Sequence, residues 1–170
     1  DTGVTLTLYA VVDDGDGGVN YVAANTIAEQ NDAGTADITG TYIVLGQDSD
    51  GNAVTGGNVT VNVGAVADGD AFADQNSAAT RTVAVGSTFE IDSIDDVLAD
   101  GSETFNLGLE DNSWENDGTY EDVAYTGSVT TTITDASDQT PPEEADTGVT
   151  LTLYAVVDDG DGGVNYVAAN

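Results

Sequence analysis

The first 25 residues of this chain, DTGVTLTLYAVVDDGDGGVNYVAAN, return letter for letter at residues 146–170. Residue 146 restarts what residue 1 began, an offset of 145 residues. So long and perfect a match is a duplication within one gene, and the chain reads as one repeat unit followed by the opening of the next. The period bounds the fold. It is too long for one turn of a solenoid, roughly 20–50 residues, and it has the size of a whole domain. Successive units are expected to be separate beads, and a chain that starts at Asp1 to be a piece of a longer protein. Ser137 to Ala145 lacks apolar alternation and holds both prolines, Pro141 and Pro142. Consecutive prolines block helix and central strand and favour an extended connector. The sequence thus divides into a domain over 1–136, an acidic linker over 137–145 and, over 146–170, the N-terminal fragment of an identical next repeat.

Within the domain, apolar residues recur at period two, the mark of half-buried strands. Val4, Leu6 and Leu8 alternate with threonines and run into Val11 and Val12. Residues 38–45, Val59-Val61-Val63, Val83-Val85, Phe89-Ile91, Phe105-Leu107-Leu109 and Val129-Thr131-Ile133 follow suit. β-Branched and aromatic residues dominate, as a pleated surface prefers. Asp, Gly and Asn punctuate the runs at 13–18, 48–52, 56–58, 67–70 and 100–101, which are turn signals. Only Thr26 to Gln30 hints at a helical turn. Seven to nine short strands with such punctuation predict an all-β fold, an antiparallel sandwich.

Charge narrows the function. Arg81 is the single basic residue against 32 acidic ones, a net charge of −31. Phosphate contacts need Lys and Arg, so nucleic acid and anionic membrane surfaces are excluded as partners. No apolar stretch approaches the roughly 20 residues of a membrane span, so no membrane insertion is expected. Acidity with few aromatics is one signature of disorder, but 39% of the residues are hydrophobic and stand in regular runs. Folded carboxylates in this number are suited to meeting cations. Calcium takes about 6–8 oxygen ligands. The chain has no Cys, His or Met, which removes the usual ligands of zinc, copper, haem and iron–sulfur centres and rules out Ser-His-Asp and Cys–His catalysis.

Five acidic clusters are candidates for metal. Asp13 to Gly18, with Asp14 and Asp16, and Asp48 to Asn52, with Asp48 and Asp50, open like helix-loop-helix calcium loops, with oxygens at alternate positions. Neither completes the loop, since Ala53 stands where the glycine belongs and Val59 where the bidentate Glu belongs. Each is also readable as a hairpin turn in which Asp-Gly supplies the left-handed residue. The other clusters are Asp68-Gly69-Asp70 with Asp74, Asp95-Asp96 with Asp100 and Glu103, and Asp135 with Asp138.

Residues 86–107, GSTFEIDSIDDVLADGSETFNL, resemble the Calx-beta motif: a glycine, alternating apolars, an Asp pair, then an acidic stretch ending in Glu-x-Phe-x-Leu. The closing run Gly127 to Asp135 is similar to that family's last strand, and the similarity extends over about 59–138. It implies an Ig-like or Calx-beta-like sandwich with calcium at one end, held by Asp95, Asp96, Asp100, Glu103, Asp135 and Asp138. Asp68 and Asp70 are added as candidates, in a loop whose spacing departs from the motif. Geometry points the same way: Asp95-Asp96 end one strand, Asp135 ends another and Glu103 opens a third, and in a sandwich such ends share a pole.

Tandem acidic sandwiches also resemble, in architecture, the extender regions of giant RTX-type, type I-secreted bacterial adhesins. The expectation is a monomeric structural spacer on a bacterial surface, rigidified by Ca2+, with identical neighbouring repeats as its partners. Trp114, Tyr120 and Tyr125 lie close in sequence and offer an alternative, a carbohydrate-binding module that stacks on a sugar, or else they pack beneath a loop. A two-carboxylate glycosidase fits poorly with tandem identical copies, and no enzyme is expected.

Overall fold

The structure, a computed structural model, describes residues 3–29, 39–65, 79–94 and 101–135 in full and the backbone of 75–76, 154–158 and 164–168. Its strands are β1 (Gly3–Asp13), β2 (Val19–Val22), β3 (Ala24–Ala28), β4 (Thr39–Asp48), β5 (Ala53–Val54), β6 (Asn58–Val63), β7 (Gln75–Asn76), β8 (Thr80–Ala84), β9 (Thr88–Ser93), β10 (Glu103–Leu109), β11 (Asp122–Thr126), β12 (Ser128–Thr134), β13 (Tyr154–Asp158) and β14 (Val164–Ala168). Among the described residues one 3-10 turn, Asp117–Thr119, interrupts the loop between β10 and β11.

Two sheets form the sandwich. One has the order β11-β1-β4-β9-β7, with β2 also on β1 and β5 on β4; the other has the order β3-β12-β10-β6-β8. The alternation read in the sequence decides what lies between them. Val4, Leu6, Leu8 and Ala10 of β1 face inward, as do Val59 and Val61 of β6, Phe105 and Leu107 of β10, and Val129 and Ile133 of β12, all nearly fully buried. Tyr42 and Phe105 are the largest wholly buried side chains; removing such a ring from a core costs about 3–5 kcal/mol. The buried Tyr42 hydroxyl needs a partner. It donates to Thr131 Oγ1 at 2.7 Å, and Thr131 in turn donates to Asn25 Oδ1 at 2.6 Å, so a polar strut crosses from one sheet to the other. Burial pushes the Tyr42 phenol above its ordinary pKa.

Two pairings run parallel where the sequence reading expects antiparallel neighbours. β1 pairs with β11 from Gly3↔Asp122 to Thr7↔Thr126, and β3 pairs with β12 from Ala24↔Thr130 to Ala28↔Thr134. The reason lies in two abrupt sheet switches. β11 climbs beside the first half of β1, then crosses to the other sheet through Gly127 alone and continues as β12. The edge of β1 it vacates is taken by β2, from Ala10↔Val22 to Asp13↔Val19. Ala23 alone then carries β2 across to β3. The helical hint over Thr26 to Gln30 is overturned as far as it is described: residues 26–28 are extended in β3, because pairing with β12 decides their conformation.

The duplicated segment makes its own two-stranded sheet, β13 with β14, paired Ala155↔Val167, Val156↔Tyr166 and Asp158↔Val164. Shifted by 145, this is the register of Ala10↔Val22, Val11↔Tyr21 and Asp13↔Val19.

Candidate functional site

One end of the sandwich collects acids by a simple rule of parity. Side chains on a strand alternate between faces, so every second residue continues the core row. On β3 that row runs Ile27, then Glu29 just past the strand; on β10 it runs Leu107, Phe105, Glu103; on β12 it runs Val129, Thr131, Ile133, then Asp135. Three neighbouring inward rows therefore end in a carboxylate. Glu29 is 0% exposed and Glu103 2% exposed. The Glu29 amide donates to the Thr134 carbonyl at 2.9 Å, while Glu103 lies opposite Ile133. Strand spacing puts Glu29 and Glu103 about 10 Å apart across β12, with the end of β12 between them.

The facing sheet closes on the same end. The Ser93 hydroxyl, at the end of β9, donates to the Ala28 carbonyl at 2.7 Å and ties the two sheets together. Thr39 Oγ1 donates to Asp92 Oδ1 at 2.8 Å. Gly101 donates its amide to Asp135 Oδ1 at 3.1 Å. Gly101 has φ 112°, a left-handed conformation suited to glycine. Among the described residues no three acidic side chains stand close enough to hold a metal ion by themselves. Asp95, Asp96, Asp100 and Asp138, and likewise Asp68 and Asp70, lie outside the described residues.

The two Asp-Gly clusters sit in turns at opposite ends and share one construction. Asp14 Oδ1 accepts from the amides of Asp16 and Gly18, each at 2.9 Å, and Asp48 Oδ1 accepts from those of Asp50 and Asn52, at 3.0 and 2.7 Å. In each the first amide returns to the carbonyl four residues on, and the left-handed glycine comes third after the aspartate, Gly17 at φ 88° and Gly51 at φ 86°. The amides of Asp16 and Gly18 hold the Asp14 carboxyl below its ordinary pKa; the Asn52 side chain, then its amide, do so for Asp48. One carboxylate oxygen of Asp14 thus serves its hairpin, and both oxygens of Asp48 serve its own, since the Asn52 side chain also donates to Asp48 Oδ2 at 3.0 Å. Asp16 and Asp50 are exposed.

The aromatic trio is packing. Trp114 is 2% exposed, lies stacked on Tyr120 with ring centroids 5.4 Å apart, and donates Nε1–H to the Gly56 carbonyl at 3.0 Å. The Tyr125 hydroxyl donates to Asp117 Oδ1 at 2.7 Å and accepts from the Trp114 amide at 3.2 Å. Burial, then the Asp117 carboxylate, raise the Tyr125 pKa. Glu115 clasps Asn58, accepting from its amide at 2.8 Å and its side chain at 3.1 Å. No open indole face remains for a sugar.

Among solved structures the chain is similar to the crystal structure of CBD12 from CALX1.2, with a TM-score of 0.44 and 17% sequence identity. The match covers 76% of this chain and 45% of that one, so the chain spans less than half that structure's length. No protein-family model matches the chain, and no curated protein matches it.

The structure thus brings Glu103 and Asp135 to one end, and it places Asp14 and Asp48 in separate turns. Sequence reading missed Glu29. Its signal was there: Glu29 follows Ile27 by two, the parity of a strand, but the stretch was read at helical period.

Proposed function

We propose that this chain is a calcium-stiffened structural repeat, a spacer of a secreted bacterial surface adhesin, with the ion held at the end where β3, β12 and β10 finish their core rows. The observation that carries this reading is that each of those rows ends in a carboxylate: Glu29, Asp135 and Glu103. Burying carboxylates is costly unless charge is compensated. With 32 acids and one Arg, the chain has little positive charge of its own to set against them, and a cation from solution is the compensation this reading supplies. The donor set is oxygen only, which suits a hard cation such as calcium and not the transition metals. Asp95, Asp96, Asp100 and Asp138 would complete the ligand set, as the Calx-beta resemblance over about 59–138 implies. The exact duplication supports a spacer, since identical beads add length and repeat one mechanical unit.

Calcium titration calorimetry on the full chain tests the site. Glu29→Gln and Glu103→Gln are expected to weaken binding by roughly tenfold or more each. Asp111→Asn, in the loop at the opposite end, is expected to leave it unchanged. Equal weakening by all three would mean diffuse charge and no site at this end.

A further inference from the structure

The sandwich has one place for the hairpin β1–β2, and the chain carries two sequences identical to it. β1 is an interior strand: it buries Val4, Leu6, Leu8 and Ala10, pairs with β4 from Val4↔Asp48 to Ala10↔Tyr42, and has β11 and β2 along its other edge. Residues 146–170 reproduce this segment through the first two residues of β3. They also pair internally in the same register, Ala155↔Val167 matching Ala10↔Val22. Whatever contacts hold residues 1–25 in the slot are available, atom for atom, to residues 146–170.

We propose that the two copies exchange: segment 146–170 of the same chain enters the β1–β2 slot whenever residues 1–25 leave it. The reach allows it. Thr134 ends β12 at the acidic end, and Gly148, the copy of Gly3, has to start at the other end; fourteen Cα–Cα steps separate them. Extended, these span up to about 46–50 Å. The 11 residues of β1 measure about 36 Å and the facing sheet lies about 10 Å away, so the connection closes with modest slack. Residues 1–25 hold the slot first because Ala23 alone joins them to β3, which makes their closure less demanding than that of the longer connection.

The test is suppression within the full chain. Leu6→Asp places a charge in a position that is 0% exposed, and Leu151→Asp is its counterpart in the copy. Exchange predicts that Leu6→Asp stays a folded monomer melting within roughly 10 °C of the parent, that Leu151→Asp melts like the parent, and that the double variant loses its cooperative transition. Because the chain has no cysteine, position can be read directly. Thr7 pairs with Leu45, so Thr152→Cys with Leu45→Cys, in the Leu6→Asp background, is expected to form a disulfide within one chain. The proposal is overturned if Leu6→Asp is as unfolded as the double variant, or if the double variant folds equally well. A disulfide that forms only between two chains would also overturn it, since a second copy would then be the donor of the hairpin.

Discussion

At the scale of single residues, Asp14 and Asp48 each give a carboxylate oxygen to two backbone amides, and this sets a pH dependence. Hydrogen bonding favours the ionised form, so both pKa values fall below the ordinary 3.8 in the folded chain. The unfolded chain then takes up protons first on acidification. The contribution is fully present above pH 3.8 and is lost as pH falls through the lower folded value. Asp48→Ala should therefore melt a few degrees below the parent at pH 7, and the gap should close in parallel melts as pH falls progressively below 3.8; a gap that stays constant with pH would show that the charge is not what matters. The turn chemistry of these residues was legible, since Asp and Gly at fixed offsets have few other local uses. Glu29 was legible only as strand parity after Ile27; its burial comes from pairing with β12, over a hundred residues away in sequence. Glu115 escaped notice for the same reason: its partner, Asn58, is a long-range contact.

At the scale of elements, the sheet switch at Gly127 leaves no room for a side chain. Gly127 has φ 82°, and a Cβ there would stand 2.7 Å from the Leu8 carbonyl oxygen and 2.9 Å from its nitrogen. Both atoms belong to the backbone of an interior strand and cannot swing aside. Gly127→Ala should cost roughly 2–4 kcal/mol, the sum of left-handed strain and overpacking, read as a shift of the urea midpoint with unchanged slope; Gly118→Ala, with open space around its Cβ position, is the control. Strands with clean alternation, β1, β6, β10 and β12, were readable because one buried face imposes period two. The short strands β2, β3 and β11 were not. Val19, Asn20 and Tyr21 of β2 are exposed, so no buried row writes itself into the sequence there. The parallel pairings β1–β11 and β3–β12 depend on where two single-residue crossovers fall, which is tertiary information.

At the scale of the molecule, a net charge of −31 on a small β-sandwich opposes its own folding. The acids are not spread evenly: the outward rows of the five-stranded sheet, such as Thr104, Asn106, Thr130, Thr132, Thr60, Thr80 and Thr82, carry threonine and asparagine. Apart from Glu90 and Asp92 within β9, the described carboxylates lie instead in loops and at strand ends. If calcium is bound with the constants usual for extracellular modules, about 10⁻⁴–10⁻³ M, then millimolar calcium stabilises by up to about 1.4 kcal/mol per site. For a domain of this length that is about 3–6 °C per site. The most direct measurement is a pair of thermal melts of the full chain, one in excess chelator and one in millimolar calcium at constant ionic strength, with magnesium as a third arm. The account predicts a rise of several degrees with calcium and little with magnesium, which demands tighter octahedral geometry and gives up its water reluctantly. Superimposable curves in chelator and calcium would contradict it.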